Sequence, residues 1–181
     1  RCTGGCPVSP GSPLNTRLLI YQTLLERGSP FEAEIWDCTT CSTCKSRCPK
    51  GIAPVDLIVG LRGELVERGK VQPTIRDALE GVFKHGNPWG RLRAKRSEWA
   101  KGLGVRGVRE GDEVLYFVCC AASYDPRVEG VARALVAIFQ KAGVDFGILG
   151  EEETCCGNEV RRMGEEGLFE MLAEENREVL R

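Results

Sequence analysis

Residues 37–51, DCTTCSTCKSRCPKG, carry cysteines at 38, 41, 44 and 48 and a proline at 49. The spacing is C-x2-C-x2-C-x3-C-P. Two-residue gaps let a tight loop turn three thiolates toward one face. Thr39, Thr40, Ser42 and Thr43 are small or polar, so backbone N–H groups can point at whatever the sulfurs hold. Pro49 has no N–H and turns the chain away after the last cysteine. Residues 1–9, RCTGGCPVS, repeat the back half of the phrase: Cys2-x3-Cys6-Pro7 matches Cys44-x3-Cys48-Pro49. Ten cysteines, at 2, 6, 38, 41, 44, 48, 119, 120, 155 and 156, stand out in a composition that is otherwise ordinary, 42% hydrophobic and 28% charged. A chain of 181 residues buries a core without disulfide staples. No basic start, apolar stretch and small-residue cleavage site mark it as secreted. Clustered cysteines in such a chain point to metal or redox chemistry. A net charge of −1 argues against nucleic acid as partner, because phosphates call for a basic face. No apolar run approaches the roughly 18 residues that span a bilayer. The longest, residues 114–122, reads as a buried strand.

The 38–48 motif resembles the iron–sulfur run of bacterial-type ferredoxins. A zinc site would use two C-x2-C pairs across a longer loop, and the third cysteine would be redundant for it. In two-cluster ferredoxins the fourth cysteine of each motif ligates the other cluster. The resemblance therefore implies that Cys38, Cys41, Cys44 and Cys6 complete one [4Fe–4S] cubane. Cys2 and Cys48 then belong to a second, whose other two ligands precede Arg1. On this expectation the sequence is a fragment of a longer chain.

Between the motifs, Leu14, Leu18, Tyr21 and Leu25 recur at helical spacing, and Gly28 is the expected stop. A second helix is expected from Pro54, carrying Val55, Leu57, Ile58, Leu61, Leu65 and Val66 and ending at Gly69. Their apolar faces are expected to form core and to shield the clusters. Motifs separated by helices resemble the α-helical ferredoxin domain of succinate dehydrogenase iron–sulfur subunits and of the C-type subunit of heterodisulfide reductase. Residues 1–69 are accordingly expected to form that domain.

Residues 70–112 read as a helical connector. One short amphipathic helix starts at Pro73, carries Ile75, Leu79, Val82 and Phe83, and stops at Gly86. His85, the only histidine, suits a helix C-terminus better than a ligand role. Asn87-Pro88 and Gly90 are turn chemistry. The basic run Arg91, Arg93, Lys95 and Arg96 reads as a solvated helix face.

From residue 113 the pattern changes. Val114 to Val118 is rich in β-formers. Val128, Val131, Leu135, Ile138 and Phe139 form a helical stripe that Gly143 ends, and Val144, Phe146, Ile148 and Leu149 read as another strand. Strand, helix, strand in that span is a βαβ unit with a parallel pair. Cys119-Cys120 and Cys155-Cys156 then fall past the carboxyl ends of the two strands, where open α/β sheets place their sites. Residues 158–180 read as one helix, with Val160, Met163, Leu168, Phe169, Leu172 and Val179 on its apolar side. Two strands bury the central helix incompletely, so further sheet is expected after Arg181.

Cys120 followed, after 34 residues, by Cys155-Cys156-Gly157 resembles the first half of the cysteine-rich CCG domain. That domain occurs in the B-type and D-type subunits of heterodisulfide reductase and in relatives. These include the K-type subunit of the sulfite-reduction complex, the glycolate oxidase iron–sulfur subunit, the C-type subunit of anaerobic glycerol-3-phosphate dehydrogenase and lactate-utilisation proteins. The family usually has Gly where this chain has Cys119, a secondary candidate. Ferredoxin motifs ahead of a CCG domain, and NPWG with a following Trp at 87–99, are similar to the fused D-type and K-type subunits. The implied architecture is α+β and multidomain, with residues 113–181 as the first half of an α/β CCG domain.

The resemblance implies a catalytic site at Cys120, Cys155 and Cys156, which would bind a noncubane [4Fe–4S] cluster and act on a disulfide or dithiol. An alternative is a non-catalytic electron-transfer subunit of a flavin-dependent glycolate, lactate or glycerol-3-phosphate dehydrogenase, or of a quinone-linked complex. Implied partners are other redox subunits, a flavoprotein or a membrane cytochrome or quinone-reactive subunit. GLGVRG at 102–107 follows no expected strand, so nucleotide chemistry belongs to a partner. The expected location is the cytoplasm, with membrane association through a partner subunit.

Overall fold

A computed structural model describes residues 2–25 and 31–181; the helix stop expected at Gly28 lies outside them. The protein is mostly helical, with one small parallel sheet in its second half. It divides into two compact units. The first joins the chain up to Val71 with Asn158–Gly167, and the second comprises Gln72–Gly157 and Leu168–Arg181. No helix among the described residues is long and apolar enough to cross a membrane.

The first unit is built on α1 (Thr16–Leu24), a 3-10 turn (Glu34–Asp37), α2 (Thr43–Ser46) and α3 (Pro54–Glu67). Asn15 caps α1, its side chain accepting from the Leu18 N–H at 3.1 Å. α3 begins at a proline, whose missing N–H costs nothing there. It ends in a Schellman motif: Gly69 is left-handed, and the Lys70 N–H reaches the Leu65 carbonyl at 2.8 Å. Leu19, Ile35, Ile58 and Leu65 form the core. The expected stripe on α1 is only partly inside. Leu19 is fully buried and Leu14 nearly so, whereas Leu18, Tyr21 and Leu25 are exposed. The buried face is thus rotated from the one the spacing suggested.

The second unit holds α4 (Pro73–His85), β1 (Val114–Leu115), α5 (Cys119–Tyr124), α6 (Pro126–Ala142) and β2 (Phe146–Gly147). Both ends of α4 fall where Pro73 and Gly86 predict. α6 is capped by Asp125, which accepts from the Arg127 N–H at 3.0 Å, and closes in a second Schellman turn at Gly143. β1 and β2 pair in parallel, Val114 opposite Phe146 and Leu115 opposite Gly147. Gly107 adds an isolated parallel bridge to Ile148. Trp99, Val118, Ala122, Ala132, Val136, Phe146 and Ile148 are the core between sheet and helix.

Two expectations are corrected here. The run 114–122 is not one strand. The ladder ends at Leu115, because the Val118 and Cys119 N–H groups go to the Glu153 carboxylate at 2.9 and 2.8 Å instead. From Cys119 the chain is helical. Residues 158–180 are not one helix either: α7 (Asn158–Arg162) and α8 (Glu166–Val179) are separate. Gly164 breaks them at φ +86°, and a Cβ there would sit 2.4 Å from the Gly63 nitrogen. Only glycine lets these two backbones approach so closely.

Candidate functional site

The cysteines form two sets, one in each unit. In the first, the loop between the 3-10 turn and α3 has two left-handed residues that are not glycine, Thr40 at φ 50° and Ser42 at φ 61°. A β-branched residue there is strained, and such strain gathers at functional sites. Alternation of this kind turns successive N–H groups inward, a concavity that suits anions and iron–sulfur sites. The Thr40 N–H points at Cys38 Sγ from 3.4 Å, and Cys41 Sγ lies 3.3 Å from Thr43 Oγ1. Hydrogen bonds from the Thr43 hydroxyl and N–H hold the Cys41 pKa below that of an ordinary thiol. Burial pushes Cys44 up, and the nearby Cys38 and Cys41 sulfurs add to the shift. The three thiols are therefore electrostatic neighbours.

Gly4 and Gly5 line one pocket with Ser46 and Arg47. A Cβ on Gly5 would fall 2.2 Å from Arg47 Nη1. The short copy of the motif therefore lies against the end of the whole one, which brings the neighbourhoods of Cys6 and Cys48 together. Among the described residues, no three Cys, His, Asp or Glu side chains close on one point tightly enough for a single metal ion. That bears on a mononuclear site, whereas a cubane spreads its ligands around a larger body.

Two arginines outside the cysteine motifs hold this loop. Arg62, buried on α3, makes five hydrogen bonds to four carbonyls, those of Ile35, Trp36, Cys38 and Arg162. Its guanidinium also lies over the Trp36 ring. Burial lowers its pKa, while Cys38 and Asp37 work the other way. Arg162 on α7 donates to the Thr40 hydroxyl and the Thr39 carbonyl.

The second set is buried more deeply. Cys119 opens α5 in a left-handed conformation, φ 70°. Cys155 and Cys156 sit on the loop before α7. Hydrogen bonding joins Cys119 to Cys156, and Cys155 to both Cys120 and Cys156, so four thiols from two distant dipeptides meet. Gly157 is left-handed at φ 77°, and a Cβ there would press on Phe169 at 2.8 Å, which accounts for glycine after the pair. Its N–H points at Cys155 Sγ from 3.5 Å, and Asn176 of α8 holds the Cys155 carbonyl at 3.0 Å. None of the ten cysteines forms a disulfide.

Beside Cys120 lies an ion pair away from water. Arg96 and Glu153 side chains are 2% and 1% exposed and meet at 2.6 Å. Glu153 also accepts the N–H groups of Val118 and Cys119. Arg96 Nη2 is 3.4 Å from Cys120 Sγ. The Cys155 hydrogen bond, then the Arg96 charge, draw the Cys120 pKa down to about 7. Cys155 moves the other way, because its thiol is the donor to Cys120. Burial works against the Arg96 charge, yet Cys120 and Glu153 outweigh it and raise its pKa. The basic run is therefore not a solvated face at Arg96. The sequence does hold a signal for this: Arg96 precedes the buried Trp99 by three residues and so shares its side of the chain.

Sulfur-rich donor sets, inward N–H groups and a buried cation fit anionic iron–sulfur clusters in both units. Residues 114–181 match the model of the CCG cysteine-rich domain. Over that stretch the chain carries a cysteine-rich domain of the CCG type. It is 40% identical over 80% of its length to EtfAB:quinone oxidoreductase of Syntrophomonas wolfei. It is 38% identical, again over 80% of its length, to the iron–sulfur-binding oxidoreductase FadF of Bacillus subtilis. Over 75% of its length it is 32% identical to the D-type subunit of the dihydromethanophenazine:CoB–CoM heterodisulfide reductase of Methanosarcina mazei. It spans 21%, 22% and 32% of those proteins respectively.

Proposed function

We propose that this chain is the part of an iron–sulfur oxidoreductase subunit that connects a ferredoxin-like cysteine set to a CCG cysteine set, in a complex linking a flavoprotein to a quinone. When bound, [4Fe–4S] clusters supply one-electron transfer at each set. Cys38, Cys41, Cys44 and Cys6 would hold one cubane, Cys2 and Cys48 part of a second, and Cys120, Cys155 and Cys156 part of the CCG cluster. Arg62 fixes the carbonyls that lead into the first loop. Glu153 fixes the N–H groups that lead into the second set.

The observation that carries this reading is the meeting of Cys119-Cys120 with Cys155-Cys156 beside a buried arginine. The quinone link is supported by higher identity to EtfAB:quinone oxidoreductase, 40%, than to the D-type heterodisulfide reductase chain, 32%. A second reading, disulfide or dithiol chemistry at the CCG set, is favoured by one feature. Cys156 is exposed beside the buried Cys120 and Cys155, where a thiol substrate could reach it.

The test is iron and acid-labile sulfide on anaerobically purified full-length protein, with EPR after adding either a quinol or a thiol. A Cys155-dependent signal that responds to quinol and ignores thiols supports the relay. A thiol-dependent signal supports the second reading. Zinc in place of iron would sink both.

A further inference from the structure

The Arg96 guanidinium is satisfied on one side only. Nε and Nη2 go to Glu153 at 3.2 and 2.6 Å, and Nη2 also approaches Cys120 Sγ and the Thr154 carbonyl, both at 3.4 Å. Nη1 is shut from water and has no hydrogen-bond partner among the described residues. A buried charged donor left unmade costs on the order of 1–3 kcal/mol or more, so native structures rarely tolerate one without a reason. The planar fork keeps Nη1 beside Nη2, and hence near Cys120.

Other features account for the rest of the neighbourhood. The Glu153 oxygens are taken up by Arg96 and by the Val118 and Cys119 N–H groups, so the carboxylate faces donors on every bond it makes. The Tyr124 ring lies 5.6 Å from the guanidinium carbon. What remains uncommitted at this point is the Nη1 amino group of a buried cation beside Cys120. Arg62 offers a contrast, because its hydrogen bonds go to backbone carbonyls and not to a carboxylate or a thiol.

We propose that Arg96 Nη1 donates to a sulfur of the cluster held by the second cysteine set, and that Arg96 thereby raises the potential at which this cluster accepts an electron. The proposal rests on the reading of that set as a cluster site. Reduction adds one electron from the titrating reductant, with no bond made or broken. A cation and an N–H donor both favour the more negative, reduced state, and the low local dielectric strengthens the effect. Arg96 is a positioning and electrostatic residue here, outside the set of ligands.

The experiment compares full-length wild-type protein with Arg96→Lys, and Glu153→Gln alone with the neutral double variant Arg96→Met/Glu153→Gln, which leaves no lone buried charge. The readouts are iron and sulfide content and an EPR-monitored potential titration of the Cys155-dependent signal. The expected result is a fall in potential in the double variant relative to Glu153→Gln alone, because losing the buried carboxylate by itself raises the potential; the fall should equal at least a tenfold change in the reduction equilibrium, about 59 mV for one electron. Arg96→Lys, which keeps the charge and loses the fork, should show a smaller fall relative to wild type. An unchanged potential and signal in the loaded Arg96 variants, each against its own reference, overturns the proposal. So does loss of this iron alone from both Arg96 variants while they remain folded, since Arg96 would then be needed to hold the cluster and not to set its potential. If the wild-type protein shows no Cys155-dependent iron, the cluster reading itself has failed, and the two failures are told apart.

Discussion

In the 38–48 loop, Cys38, Cys41 and Cys44 reach one another through local backbone geometry, and Arg62 holds the approach by its carbonyls. Around Cys120 the order is reversed: Cys119-Cys120 and Cys155-Cys156 meet only because β1 and β2 pair, and a side-chain ion pair holds the junction. The first set needs a short loop and the second needs a folded unit. A site of the first kind leans on its own loop and the few side chains that brace it, whereas one of the second kind depends on packing far from its sulfurs.

The largest expected effect separates the two sets. Cys41→Ala should remove one cubane, about four irons, and leave the Cys155-dependent EPR signal in place. Cys155→Ala should do the converse. Iron and sulfide analysis of each variant checks this, and loss of both sets from either substitution would break the comparison.

The arginines come next. Glu153→Ala strands a buried guanidinium and should cost about 3–5 kcal/mol. Arg96→Met/Glu153→Gln should cost clearly less than the sum of its single changes, because both charges leave together. Arg62→Met leaves several buried carbonyls without donors and should cost on the order of 3 kcal/mol, with no carboxylate change to relieve it. Urea unfolding of the metal-free variants measures all of these. Additive single effects at 96 and 153 would show that the pair is not coupled.

This contrast also explains what can be read from the sequence. The C-x2-C-x2-C-x3-C run, the helix that starts at Pro54, the one from Pro73 to Gly86 and the parallel pair are legible because each is set by local signals. The roles of Arg62, Arg96 and Glu153 are not. Charged residues are expected at the surface, and their partners lie far away in sequence: Arg96 and Glu153 are 57 residues apart. Arg62 does leave a trace, a lone charge on the buried side of α3 between Ile58 and Leu65. The break at Gly164 depends on Gly63, which no helical pattern in 158–180 could reveal.

Gly164→Ala tests that contact. A methyl group forced against the Gly63 backbone should cost about 1–3 kcal/mol by overpacking, with about 1–2 kcal/mol more for the left-handed conformation. Thermal unfolding measures the loss, which should fall on the first cysteine set through Arg162 and its contacts with Thr39 and Thr40. A drop in stability with Cys41-dependent iron unaffected would separate α7 from that set.

Acid sensitivity should come from the second unit. Arg106, with help from the Arg109 N–H, holds the Asp112 carboxyl down to about 2, against 3.8 ordinarily. The folded value is the lower one, so the folded chain binds fewer protons between the two values. This contribution is full above about 4 and is lost as pH falls toward 2. Midpoints of thermal unfolding of the metal-free protein from pH 5 to 2 should fall less steeply in Asp112→Asn. An unchanged slope would assign the acid sensitivity elsewhere.

The smallest effect bears on why the second set has a fourth thiol. Cys119 holds φ 70° where an L-residue is strained by about 1–2 kcal/mol. Glycine would relieve that strain, but at about 0.4–1 kcal/mol through the freer unfolded chain. Cys119→Gly should therefore stabilise the metal-free protein by roughly 0.5 kcal/mol, the balance of those two terms. The same substitution removes the thiol that meets Cys156. If the Cys155-dependent signal is altered while stability rises, the strain at residue 119 is kept for the chemistry of the set. If stability rises and the signal does not change, Cys119 is a bystander and three of the four thiols suffice.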